Sequence, residues 1–314
     1  MTSVISFLVA FLLIFSANLH SKADTGKSDT EKPSKEKEGD KSDKSSEEES
    51  SKPLKIGNLA LPVSQQPSPL LSFGQNIIDA HQTQMLVLSN EFKGNHQYFI
   101  NVIPSILYAF TDSFSIFLTA PFAARYRQDH HHSSGGEDLI IQLEYAYYTK
   151  EAYTYIDQAT LVTSVTIPTG STKKNPPTGL GANSFFIGGT YSREGIYWFY
   201  FTSHGALLTG SSHRTKFGNQ FLYQFGVGRN IANVNDWLFA WMVELDGIYS
   251  WKDRIRGSTD PNSGGNVIFL TPSLWISSTH CILQLGIGYP VQQHLFGHQK
   301  KSDYLLALNA GWTF

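Results

Sequence analysis

From about Gln82 onward the chain alternates apolar and polar residues with a period of two, over runs of ten residues and more, and few folds accept that pattern. Trp237 to Lys252 is the clearest run. One parity reads Trp237, Phe239, Trp241, Val243, Leu245, Gly247, Tyr249 and Trp251; the other carries Glu244 and Asp246 at mid-strand. Tyr304 to Phe314, Leu139 to Tyr147 and Cys281 to Tyr289 repeat the arrangement. Alternation alone does not say which face points out. The runs are long for globular strands but suit a tilted membrane strand, and aromatics gather at their ends as interfacial girdles do. About twelve strands closed with their apolar face inward would also leave an interior too wide for side chains to fill. The expected fold is therefore all-β: a transmembrane antiparallel up-and-down β-barrel of about 12 strands, with a soluble two-sheet sandwich as the competing architecture.

Loop lengths give an independent check. Strands are expected at 83–91, 97–110, 114–128, 138–149, 153–167, 183–192, 196–208, 216–230, 237–251, 266–278, 280–290 and 304–314. Short connections contain Thr111 to Ser113, Lys150 to Ala152, Arg193 to Gly195, Ala232 to Asp236, and Thr279. Longer ones cover Asp129 to Glu137, Pro168 to Ala182, Thr209 to Thr215, Lys252 to Gly265, and Val291 to Asp303. Short turns on one rim and long loops on the other mark a membrane barrel. An even strand count places both ends of the barrel on the short-turn side.

Ahead of the barrel, Val4 to Phe15 is an apolar stretch too short to span a bilayer, with Ser21 and Ala23 following like a cleavage site, so residues 1–23 are expected to be a signal peptide. Residues 24–53 are dense in Lys, Glu, Asp and Ser and read as a disordered charged linker. Residues 54–81 form a Pro-rich lead-in that either enters the barrel interior or lies beneath it; 82–314 is the barrel. The expected location is the bacterial cell outer membrane.

Charge and cysteine content exclude other classes. With 24 basic against 26 acidic residues the net charge is -2, which gives no electrostatic case for nucleic acid. One cysteine, Cys281, rules out an intrachain disulfide framework and a Cys-type zinc cluster.

Gly136-Glu137-Asp138 opens a strand ending in Glu144-Tyr145, followed by Thr166-Ile167-Pro168-Thr169-Gly170, a glycine-rich re-entry at Gly179-Leu180-Gly181, and the strand Phe185-Phe186-Ile187-Gly188-Gly189. These motifs resemble the outer-membrane family named for the MetA pathway of phenol degradation. The resemblance implies an outer-membrane barrel with a proposed transport role for hydrophobic or aromatic compounds. The charged linker departs from the family pattern.

On a pore reading, inward parity nominates Arg125, Arg127, Gln142, Glu144, His204, Gln220, Gln224, Glu244, Asp246 and Gln284, and opposed acidic and basic groups in a lumen tune ion selectivity. The same groups in mutual pairs would only stiffen the wall. His130-His131-His132 offers imidazoles, but successive residues seldom converge on one ion, so no metal is expected. A Ser nucleophile needs its base within hydrogen-bond reach. Neighbours in a strand face opposite ways, so Ser203 and His204 should not meet; Ser211-Ser212-His213 offers no better spacing. Asp157 falls on lipid-facing parity without an account. The expected function is an outer-membrane channel or transporter for small molecules, hydrophobic ones included, with no catalysis and no cofactor. Its partners would be the lipid bilayer, a small-molecule solute, and the outer-membrane assembly machinery through the strand ending at Phe314. The alternative is a surface interaction protein whose long outer loops bind a partner and whose barrel is an anchor.

Overall fold

In a computed structural model the described residues are 57–212 and 214–314. The expected signal peptide (1–23) and charged linker (24–53) lie outside them. The strands, in chain order, are β1 (Thr83–Gly94), β2 (Gln97–Thr111), β3 (Phe114–Thr119), β4 (Phe122–Gln128), β5 (His131–Gly136), β6 (Leu139–Glu151), β7 (Tyr155–Ile167), β8 (Ser184–Gly195), β9 (Trp198–Thr209), β10 (Ser211–Ser212), β11 (Thr215–Lys216), β12 (Gln220–Val234), β13 (Trp237–Ser250), β14 (Arg254–Ile255), β15 (Ser258–Thr259), β16 (Gly265–Ser277), β17 (Cys281–Leu295) and β18 (Ser302–Thr313). All pairings are antiparallel, successive barrel strands pair in chain order, and β1 pairs with both β2 and β18, which closes a 12-strand barrel. β3 and β4 together make one barrel strand, interrupted at Ala120-Pro121; β5 folds back on β4 as a hairpin. β10, β11, β14 and β15 form a small separate sheet in the long loops.

The outer wall is apolar. Phe185 is 57% exposed, Ile187 53%, Phe225 47% and Leu274 60%, and these belong to a belt that runs around the barrel. A water-soluble protein rarely tolerates a patch of even a few hundred Å² of this kind, so the wall faces hydrocarbon. β1 has 12 residues and β2 15, enough for the roughly 9–11 that a tilted strand needs to cross it. The inner wall carries small polar residues, with Ser105, Ser115, Thr160, Thr190, Ser203, Thr271, Ser273 and Ser277 all buried, together with an apolar cluster of Phe199, Phe201, Ala240, Met242, Trp275 and Ile282.

The short turns predicted on one rim are present, at Asp112-Ser113, Ile196-Tyr197 and Asn235-Asp236 among others. The long loops are more ordered than the sequence suggests. Asp129 to Glu137 is largely the β4–β5 hairpin, and β17 continues to Leu295 past a register shift opposite Ile268 and Phe269. Ladder bonds extend these strands beyond the lipid belt, where hydropathy alternation no longer marks them.

The lumen is not empty. Residues 57–82 enter it, so the interior is filled by a segment of chain as well as by wall side chains. Near the short-turn rim, Asn58 Nδ2 donates to the Gly195 carbonyl (3.0 Å), and Ser277 Oγ donates to the Gln65 carbonyl (2.7 Å). Gln284 Nε2 then donates to the Ser68 carbonyl (3.2 Å). The segment reaches mid-barrel at Glu244, crosses to β8 and β6, and returns to the short-turn rim, where His81 N donates to the Ala109 carbonyl (2.8 Å) and β1 begins. It is an arch with both feet on one rim. Ile78 at its end packs with Leu86, Leu107 and Ala109 of the wall.

Candidate functional site: the occupied lumen and its vestibule

Mid-barrel, the wall holds the arch through carboxylates. Glu244 on β13 accepts the backbone N–H groups of Leu70 (2.7 Å), Leu71 (3.2 Å) and Ser72 (3.3 Å). Two residues on, and therefore on the same face, Asp246 accepts from Ser72 Oγ (3.0 Å), Gln224 Nε2 (3.3 Å) and Thr271 Oγ1 (3.2 Å). Gln224 itself accepts from Phe73 N (3.2 Å). Across the lumen, Glu144 on β6 accepts from Asn76 N (3.0 Å), Asn76 Nδ2 (2.6 Å) and Gln142 Nε2 (2.6 Å). A hydrogen bond contributes about 0.5–1.5 kcal/mol, and it is the number of these latches that fixes the crown of the arch.

Glycines in the wall make room for it. A Cβ at Gly188 would lie 2.7 Å from the Phe73 ring, and one at Gly286 2.5 Å from Leu70 Cδ2. Phe73 then meets Phe186 edge-on, with centroids 4.6 Å apart. The glycine in Phe186-Ile187-Gly188, noticed in the sequence as part of a motif, is thus a seat for the arch. Gly74, at φ +81, turns the chain where it crosses.

Seven of the ten residues nominated by inward parity do face inward: Gln142, Glu144, Gln220, Gln224, Glu244, Asp246 and Gln284 sit opposite inward neighbours on adjacent strands. Three do not. Arg125 and Arg127 stand directly opposite Ile100 and Tyr98, which are outward residues, because a bulge at Ala124 shifts the register between Ile100 and Asn101. One extra residue reverses every following side chain. His204 lies on the outer face of β9, exposed, beside the rings of Phe221 and Phe225 and hydrogen-bonded to Thr202 Oγ1 (2.9 Å). Aromatics occupy both parities of β9, with Phe199 and Phe201 buried and Trp198 and Tyr200 exposed, so hydropathy there does not mark the inner face. Ser203 is buried inside and His204 is outside, so the two do not form a nucleophile–base pair. His213 lies outside the described residues.

The expectation of opposed charges across the lumen is also corrected. Among the described residues, the inward strand positions carry Glu144, Glu151, Glu194, Glu244 and Asp246 and no Lys or Arg side chain; Lys93, Arg125, Arg127, Lys150, Arg193 and Arg229 all fall on outward parity. The lumen has one sign. Asp157 gains an account from the same reading: on the outer face it pairs bidentately with Arg193 (2.5 and 2.6 Å), whose guanidinium lies 4.5 Å from the Tyr155 ring centroid.

Above the arch, toward the long loops, is a cavity of about 520 Å³ lined by Phe92, Phe99, Tyr126, Ile140, Leu180 and Phe217 with Glu137 at its edge. The sequence motifs converge on its roof. Asp138 Oδ1 accepts from Gly170 N (2.8 Å) and Oδ2 from Leu180 N (2.7 Å), while Thr169 Oγ1 donates to the Glu137 carbonyl (2.9 Å). One carboxylate therefore pins both ends of the loop between β7 and β8. Burial pushes the Glu137 carboxyl up to about 7. Sequence reasoning missed Asp138 and the aromatic lining, although Asp138 lay inside the motif it quoted.

No family model matches the chain, and no curated protein does. Solved structures do. The COG4313 outer membrane channel from Pseudomonas putida F1 superposes with a TM-score of 0.61 at 14% identity, covering 79% of this chain and 99% of that one. The fold is that of an outer-membrane barrel. A NanC porin structure also aligns, at a TM-score of 0.46 and 11% identity over 73% of this chain and 98% of that one.

Proposed function

We propose that the protein is a gated outer-membrane channel for small molecules, closed in this conformation by the arch of residues 57–82. The carrying observation is the way the crown is held. Its bonds run from backbone N–H groups and short polar side chains to wall carboxylates, all of which can exchange for water. The aromatic vestibule above it supports apolar or aromatic bodies as the solutes that enter, and the one-signed lumen below supports passage of cations over anions. Residues 1–23 would export the chain. The filled lumen also favours a second reading, in which the barrel only anchors the outer loops as a binding surface.

Planar-bilayer recording of the refolded chain separates the two. A channel gives steps whose open fraction rises in the Glu244→Gln/Asp246→Asn variant, which weakens the latch. Barrel insertion with no steps in either protein would refute the channel reading and leave the anchor.

A further inference from the structure

The outward turn of Arg125 and Arg127 places them in a row that the ladders define. Arg127 lies directly opposite His132 on β5 and Tyr98 on β2; Tyr98 lies opposite Lys93 on β1; Lys93 lies opposite Tyr304 on β18. Directly opposed residues share a face. Five adjacent strands therefore present His132, Arg127, Tyr98, Lys93 and Tyr304 at one height on the outer wall. The next outward row is Arg125, Ile100, Glu91 and Leu306, and the one after it is Phe122, Val102, Ser89 and Leu308, where the apolar belt begins. The row sits at the long-loop end of the wall, where hydrocarbon gives way to headgroups.

Its members are open to that layer. Lys93, Arg125, Arg127 and His132 are exposed. The Lys93 ammonium lies 5.7 Å from the Tyr304 ring centroid, and the Arg125 guanidinium 5.7 Å from that of Tyr98. Arg127 Nε donates only to the Asp129 carbonyl (3.2 Å), which leaves further donors of its fork directed outward. Glu91 is the one carboxylate in the two rows, and it already accepts from Tyr304 Oη (3.0 Å). A cleft of about 600 Å³ bounded by Arg125, Arg127, His130, His132 and Ser133 adjoins the row. Strands lie about 4.8 Å apart, so Arg127 and Lys93, two strands apart, stand roughly 10 Å from each other.

We propose that this face is a docking site for a phosphate-bearing lipid headgroup of the outer leaflet. Arg127 and Arg125 would take phosphate oxygens through their planar forks, Lys93 would supply a further positive charge, and Tyr98 and Tyr304 would sit at the interface beside them. A lipid is favoured over a free anion because the acyl chains would lie on Phe122, Val102 and Leu308 directly below. The site does not depend on whether the lumen conducts.

The test is native mass spectrometry of the full chain in detergent with dioleoyl phosphatidic acid, using dioleoylglycerol as the uncharged control and inorganic phosphate as the free competitor. The expected result is retention of phosphatidic acid over diacylglycerol, falling at least tenfold in Arg125→Gln/Arg127→Gln/Lys93→Gln and unchanged in Lys150→Gln on the opposite rim. The single variants Arg127→Gln and Lys93→Gln, each expected to lose part of the retention, carry the test if the triple variant does not fold. Equal retention of the two lipids, loss in Lys150→Gln as large as in the row variants, or displacement by inorganic phosphate at equimolar concentration would overturn the site.

Discussion

Asp138→Ala removes two charge-assisted hydrogen bonds at once, those from Gly170 N at 2.8 Å and Leu180 N at 2.7 Å. Each is worth about 1.5–3 kcal/mol. Taking the lower figure for both, because the loop can partly rehydrate, the closed loop loses about 3 kcal/mol relative to the open one. At 1.4 kcal/mol per factor of ten, the open population rises about a hundredfold. The loop carries its own reporter: Lys173 and Lys174 are exposed between the two anchor points, and Lys174 Nζ is held to the Ser134 carbonyl. The initial rate of tryptic cleavage after these lysines, read by mass spectrometry on the refolded barrel, should rise by one to two orders of magnitude (roughly tenfold to a hundredfold). Asp138→Asn keeps one acceptor and should fall between. A rise of less than about threefold in a correctly folded barrel would mean that Asp138 does not clamp the loop.

Gly188→Val should push Phe73 off the wall and raise the open fraction of the channel in bilayer recordings, whereas Gly189→Val, on outward parity, should not. Arg193→Ala removes the bidentate partner of Asp157 on the outer wall and should lower the urea midpoint of the barrel; adding Asp157→Ala should restore most of the loss. Glu137 has its carboxyl raised to about 7 in the folded barrel against 4.5 in the open chain, so its contribution is neutral below about pH 4.5 and turns increasingly unfavourable as pH climbs to about 7. Glu137→Gln should accordingly raise the melting temperature at pH 8 and leave it unchanged at pH 4. In open channels, Glu244→Gln/Asp246→Asn should lower the preference for K⁺ over Cl⁻, measured as a reversal potential in a KCl gradient.

The barrel was legible because lipid on one side and polar groups on the other impose a period of two that survives in β13, in β17 as far as Tyr289 and in β18 from Tyr304 onward. Legibility fails where that contrast fails. β9 has rings on both faces, so His204 was misplaced. The bulge at Ala124 inverts parity without changing composition, so Arg125 and Arg127 were turned inward. Residues 57–82 follow no period, because an arch without strand or long helix bonds to the wall through single N–H groups. Only the seats, Gly188 and Gly286, left a trace, and a glycine in a strand does not say what lies against it.

The arch has both feet on the short-turn rim, which decides what kind of event its removal is. It is looped into the barrel rather than threaded through it, so it can be withdrawn downward without breaking any ladder between strands and without passing an end of the chain through the wall. Opening is then a local transition, limited by the latches at Glu244, Asp246 and Glu144 and reversible from the same side. If the barrel is the gated channel proposed, control of the arch is exerted from the short-turn side.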